Sequence, residues 1–146
     1  MSILALDLGE KRTGVAVSDS SNKIALPLTV ISTPDVLNNA PAFKRLFEDY
    51  EIELILIGLP FSLDGKENAQ ARRIRVAAEQ LKEHHNQPVE FVDERLSSVE
   101  AKNALRQMGY SEKEMRTKTD KIAACIILQK WLDSSSVSGA QMGLDS

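Results

Sequence analysis

Residues 3–19 read Ile3-Leu4-Ala5-Leu6-Asp7-Leu8-Gly9-Glu10-Lys11-Arg12-Thr13-Gly14-Val15-Ala16-Val17-Ser18-Asp19. Two apolar runs, Ile3–Leu8 and Gly14–Asp19, flank a turn at Gly9–Arg12. Each run has the length and composition of a buried strand, so the pair predicts two antiparallel neighbours. A second turn, Ser20–Lys23, leads into Ile24–Ile31, a third strand interrupted by Pro27. Proline cannot donate to a sheet ladder, so this strand belongs at an edge or carries a bulge. The three form an antiparallel meander.

Beyond the meander the pattern changes period. Asp35–Tyr50 shows Leu37, Phe43, Leu46, Phe47 and Tyr50, at roughly helical spacing after Pro41. Glu53–Gly58 is apolar nearly throughout, as a central parallel strand requires. Leu59–Gly65 carries Pro and Asp-Gly loop chemistry. Asn68–His85 reads as a helix with Ile74, Ala77, Ala78 and Leu81 on one face, followed by a short strand, Val89–Val92. Ser97 and Glu100 form a capping box opening a helix over Ser97–Met108. A last helix, Thr119–Leu132, turns Ile122, Ala123, Ile126, Ile127 and Trp131 inward. The predicted fold is α/β: a mixed five-stranded sheet, an antiparallel meander plus two parallel strands, with helices on both faces. Right-handed crossovers put the first strand in the centre with the fourth beside it, and that boundary is the switch point where α/β sheets place their sites. One domain is expected over residues 1–133, with a mobile Ser- and Gly-rich tail over 134–146.

Composition narrows the function classes. The 146 residues are 42% hydrophobic and 27% charged, enough for one globular core and against global disorder. No run approaches the roughly 20 apolar residues of a membrane helix, and the N-terminus has no signal-peptide pattern, so a cytoplasmic protein is expected. One cysteine, Cys125, excludes an internal disulfide and a Cys-based zinc finger; it and Trp131 read as core. Net charge is −3, but residues 1–65 carry −4 and residues 66–121 carry +2. A local basic patch can act despite an acidic total, because charges are screened beyond about 10 Å.

Four acids carry the chemical interest. Asp7 interrupts an apolar strand on the face of Ile3 and Ala5, where an uncompensated carboxylate is costly. It serves either as a strand-end turn cap or as part of a site. Asp93 and Glu94 end the fifth strand beside Arg95; alternation lets one of the two reach Asp7's side, and periodicity does not select which. Asp120 opens the last helix, where an acid also suits the helix dipole. Convergent carboxylates without cysteine suit hard cations, Mg²⁺ or Mn²⁺, and two such ions support phosphodiester cleavage. His84-His85 reads as a solvated helix terminus rather than a metal ligand. Candidate phosphate contacts are Lys11 and Arg12 in the first turn, Lys66, Arg72 and Arg75 around the second helix, and Arg95 and Lys118 nearer the end. Aromatics are 5% of the chain and do not alternate with the basic residues, so extensive base stacking is not indicated.

Four blocks taken together resemble the YqgF/RuvX family of Holliday-junction-resolvase-like nucleases. They are Asp7–Asp19, Gly58-Leu59-Pro60 with Asp64-Gly65, Asp93-Glu94-Arg95 through Glu100-Ala101, and Lys118-Thr119-Asp120 through Ala124. The match spans about Ile3 to Leu132. The resemblance implies an RNase H-like fold and metal-dependent nuclease chemistry, with Asp7 and Asp120 as the outer metal-binding acids and the Asp93-Glu94 pair as the middle one. It implies a catalytic set of Asp7, Glu94 and Asp120. Unlike RuvC-type enzymes, the fourth strand ends in Gly58-Leu59-Pro60 with no acid. The family is associated with 5′-end maturation of pre-16S rRNA, which makes precursor RNA, and the ribosomal particle, the expected partners. Monomer and homodimer both remain open.

Three other functions fit parts of the pattern. A resolvase would prefer branched DNA and need two active sites. A non-catalytic ribosome-assembly factor would keep the fold and bind RNA without cutting it. An ATPase reading comes from the likeness of Asp7-x-Gly9 to the phosphate loop of the actin, Hsp70 and sugar-kinase superfamily, which needs two such lobes where this chain supplies one.

Overall fold

The computed structural model describes residues 1–60, 68–93, 103, 106, 107, 109–113 and 122–134. In chain order these form β1 (Ser2–Leu8), β2 (Arg12–Ser18), β3 (Ala25–Ser32), α1 (Thr33–Leu37), α2 (Pro41–Tyr50), β4 (Ile52–Leu59), α3 (Ala69–His84) and β5 (Val89–Asp93). A further helix runs over 122–134. The sheet order is β3-β2-β1-β4-β5, with β1–β2 and β2–β3 antiparallel and β1–β4 and β4–β5 parallel. This is the expected mixed sheet, with β1 at its centre. The predicted helix over Ser97–Met108 falls mostly outside the described residues, as does nearly all of the expected tail.

Every residue of β1 is buried except Asp7, which is half-buried, because both sheet faces are covered. Alternation divides the strand between two cores. Leu4, Leu6 and Leu8 join Ile55, Ile57 and Leu59 of β4 under Phe43 of α2 and Ile74, Ala78 and Leu81 of α3. Ile3 and Ala5 join Leu56 of β4 and Val92 of β5 under Ile122, Ala124, Cys125, Leu128 and Leu132.

The details follow local chemistry. Pro27 lies on edge strand β3 at a bulge: Val15 pairs with Thr29 and Ala16 with Pro27, leaving Leu28 as the extra residue. Asn68 caps α3, its Oδ1 accepting from the Ala71 amide at 2.8 Å. The helical spacing read after Pro41 is α2, while Asp35–Leu37 belong to the separate α1. Asn39 adopts φ 54° and breaks the chain, and Pro41 restarts it at a position where its missing N–H costs nothing.

The buried face of the 122–134 helix also differs from the predicted one. Ala124, Cys125, Leu128, Gln129 and Leu132 join Ile122 and Ile127 inside, while Ala123, Ile126 and Trp131 are half-buried. Trp131 sits at the rim, its Nε1–H donating to Glu90 Oε2 at 2.9 Å. Gln129 fixes the helix against the β2–β3 turn. Its Oε1 accepts from the Ala25 amide at 2.9 Å, and its Nε2 donates to the Lys23 carbonyl at 3.0 Å. His84 is exposed as expected, but His85 is half-buried, stacked on Phe47 with centroids 3.7 Å apart. Among the described residues no helix is long and apolar enough to cross a membrane.

Two expectations follow. Leu56 is fully buried in the central sheet, so Leu56→Ala should cost about 2–5 kcal/mol and lower the urea midpoint at unchanged slope. Burial pushes the Cys125 thiol up to about 12 from its ordinary 9.0. The fold therefore favours the neutral thiol; that contribution is complete below the unfolded value and is lost as pH rises from about 9 toward 12. A chromogenic disulfide reagent at pH 8 should leave Cys125 untouched in native protein and label it at once in urea.

Candidate functional site

Asp7 occupies the C-terminal end of β1, where the parallel strands β1, β4 and β5 all terminate. On the antiparallel side it pairs with Gly14. On the parallel side, the pairing of Leu6 with Ile57 brings Gly58 alongside it. Both flanking positions are therefore glycine, and neither neighbouring strand sets a side chain beside the carboxylate. An acid in an apolar strand needs solvation or partners, and the two glycines leave open the space that either requires. Asp7 shares its face with Ala5, Leu56 and Val92, the face covered by the 122–134 helix.

Of the two acids predicted at the end of the fifth strand, Asp93 is described, and its register fixes its face. Val92 packs on Asp7's face, and Asp93 pairs with Leu59, whose side chain belongs to the α3 core. Asp93 thus lies on the face opposite Asp7, two strands away, or roughly 10 Å at ordinary strand spacing. Its backbone carbonyl accepts from Lys130 Nζ at 2.8 Å. Glu94, Asp120, Lys66, Arg95 and Lys118 lie outside the described residues. Among the described residues no three His, Cys, Asp or Glu side chains cluster closely enough to hold a metal ion.

The Gly9–Arg12 turn beside Asp7 is pinned from behind. The Gly9 amide donates to the Arg12 carbonyl at 3.0 Å, and a Cβ on Gly9 would stand 2.6 Å from that same oxygen, which only glycine avoids. The Thr33 amide donates to the Lys11 carbonyl at 2.9 Å. Thr33 Oγ1 donates to the Gly9 carbonyl at 2.7 Å and contacts the buried Thr13 hydroxyl at 2.9 Å. This network holds the turn while the Lys11 and Arg12 side chains stay exposed at its tip.

On α3 the basic residues divide. Arg72 and Arg75 are exposed, and the Arg75 guanidinium lies 4.8 Å from the centre of the Phe91 ring, toward β5. Arg73, part of the same basic run but off the face that Arg72 and Arg75 share by i,i+3 spacing, reaches the turn instead and bonds Glu10 at 2.5 Å. That bond and the Arg73 charge hold the Glu10 carboxyl below its usual range, although the exposed pair adds little stability. The link between Arg73 and Glu10 spans 63 residues, and no local pattern announces it. Behind the pair is a cavity of about 370 Å³ between the turn, α1 and α3.

Comparison with known proteins gives three findings. Residues 1–134 match the family model for RuvX, described as a Holliday junction resolvase. Relatives named "Putative pre-16S rRNA nuclease" occur in Dictyoglomus thermophilum, 42% identical over 137 residues, covering 94% of this chain and 99% of that protein. Another, from Thermosynechococcus vestitus, is 38% identical over 136 residues, covering 93% of this chain and 90% of that protein. Among solved structures, Thermus thermophilus RuvC in complex with a Holliday junction substrate superposes with TM-score 0.61 at 15% identity, covering 93% of this chain and 96% of that one. Fowlpox virus resolvase with Holliday junction DNA gives TM-score 0.53 at 14% identity, covering 92% and 98%. At these identities the likeness establishes the fold, which is RNase H-like.

Substitutions at two positions test the turn. Gly9→Ala should force the Arg12 carbonyl aside at a cost of roughly 1–3 kcal/mol, read as a lower melting temperature. Thr33→Val should leave the buried Thr13 hydroxyl and the Gly9 carbonyl short of a partner, costing about 1–3 kcal/mol, while Thr33→Ser restores most of it.

Proposed function

The chain belongs to the RuvX family, and we propose on that footing that it is a metal-dependent endonuclease hydrolysing phosphodiester bonds in structured RNA, at the 5′ end of pre-16S rRNA. The observation that carries this reading is Asp7: a carboxylate at the C-terminal end of the central strand, flanked by Gly14 and Gly58. The names of the relatives supply the RNA substrate, and the family supplies the nuclease class.

The donor chemistry at the site suits a hard divalent cation, Mg²⁺ or Mn²⁺. Asp7 offers carboxylate oxygens between glycines on the two flanking strands, and Cys125, the one thiol of the chain, is buried in the core. We assign Asp7, Glu94 and Asp120 as the acids that hold it and carry catalysis. Asp93 is the weaker candidate of its pair, because register turns it toward α3. A bound dication supplies the charge that activates water and stabilises the leaving oxygen in phosphodiester cleavage. Lys11 and Arg12, held by the Thr33 network at the edge of the same strand, contact the phosphate backbone. Arg72, Arg75, Lys66, Arg95 and Lys118 extend that contact along the substrate. A free thiol kept in the core fits a reducing compartment, and we assign the protein to the cytoplasm.

A second substrate follows from the family's description as a resolvase: a four-way DNA junction. The two substrates are separated by incubating the full chain with labelled precursor rRNA and with a junction DNA at matched salt, with and without Mn²⁺, since phosphate-driven affinity falls steeply with salt. Cleavage of the RNA only when the ion is present is the expected result. Asp7→Asn should lower the rate by at least about 100-fold, the upper end of what losing an outer-shell partner of a metal costs, with melting temperature unchanged. Undiminished turnover by Asp7→Asn would refute the mechanism.

A further inference from the structure

The cavity of about 370 Å³ behind the Glu10–Arg73 pair takes no part in the chemistry above. Its walls are Leu8, Leu37, Ile74 and Ala77, and its polar lining comes from Glu10, Thr33, Gln70 and Arg73, with the Gly9 backbone at one side. Glu10 and Arg73 are largely solvent-exposed, so the mouth opens at the turn. An apolar chamber of a few hundred Å³ with a few polar groups is the ordinary form of a small-ligand site.

We infer that this cavity receives one unpaired nucleobase of the substrate strand. The inference rests on the nucleic-acid reading above and extends it. Three features select a base over other ligands. The apolar walls approach from sheet and helix together, which suits a flat aromatic ring. The lining combines a primary amide, a guanidinium and a carboxylate, the groups that pair with the donor and acceptor edges of bases. The position is the third: Leu8 directly follows Asp7, so the cavity and the carboxylate open on opposite faces of one strand end. The Gly9–Arg12 turn lies between them, with Lys11 and Arg12 exposed on it to hold the connecting phosphate. Proteins that read single-stranded RNA commonly splay a base into such a pocket and hydrogen-bond its edge.

The arrangement explains why Arg73 faces the turn while Arg72 and Arg75 do not. Glu10 and Arg73 satisfy each other at the mouth when no base is present, and both have hydrogen-bonding capacity to offer when one enters.

The test is a nuclear magnetic resonance titration of the ¹⁵N-labelled full chain with each of the four nucleoside 5′-monophosphates, without metal. The expected result is saturable shifts at the Gly9 amide, the Gln70 side-chain amide and the Ala77 amide, stronger for one base than for the others. Ala77→Met, which fills the chamber, should weaken that binding by about tenfold or more, and Gln70→Ala should reduce the preference among bases. Asp7→Asn should bind like wild type, so a failure of the catalytic reading shows in cleavage and a failure of the pocket shows here. Ribose 5-phosphate is the control for phosphate alone. Equal shifts with ribose 5-phosphate, or no saturable shift at these residues with any of the four, would overturn the inference. Unchanged binding by a folded Ala77→Met would also overturn it.

Discussion

One acid inside an apolar strand sets the terms for the rest of the molecule. β1 is covered on both faces, and an isolated carboxylate there is expensive to desolvate. The fold meets that constraint by geometry. Asp7 is placed at the strand's end, and glycine stands at the flanking position of both neighbouring strands. That glycine-flanked strand end is where the proposed cation and phosphate would bind. Gly14 and Gly58 are therefore as much part of the site as the acid they flank.

The turn after Asp7 is built to stay still. Thr33, on the first turn of α1, reaches back to Gly9, Lys11 and Thr13, so a helix 20 residues downstream fixes the loop that carries Lys11 and Arg12. Gln129 does the equivalent work on the opposite face, tying the 122–134 helix to the β2–β3 turn through bonds to Lys23 and Ala25. Buried polar groups that are fully paired specify a unique packing. Here two such networks lock the elements on either side of the central strand.

Much of this architecture was legible in the residue order. Periodicity located all five strands, Pro27 announced both an edge and a bulge, and the helix read over Asn68–His85 is α3, with those two residues as its caps. What escaped has physical causes. The break inside Asp35–Tyr50 depends on Asn39 adopting a left-handed conformation, which spacing of apolar residues does not register. The 122–134 helix is apolar nearly all round from Ile122 to Leu128, so no period could choose its inner face. The side taken by Asp93 depends on pairing with Leu59, a non-local fact. Thr13, Thr33 and Arg73 looked like ordinary turn and helix residues, because their partners lie 20 to 63 positions away. Asp7, by contrast, stood out at once, since a charge in a buried strand violates the local pattern.

The central claim is that Asp7 exists to hold a divalent cation. Crystals of the full chain soaked in manganese and measured at the manganese absorption edge test it most directly. The account predicts an anomalous peak at about 2.1 Å from an Asp7 carboxylate oxygen, the distance for small hard dications. A well-ordered Asp7 bonded only to protein groups, with manganese bound elsewhere or not at all, would contradict it.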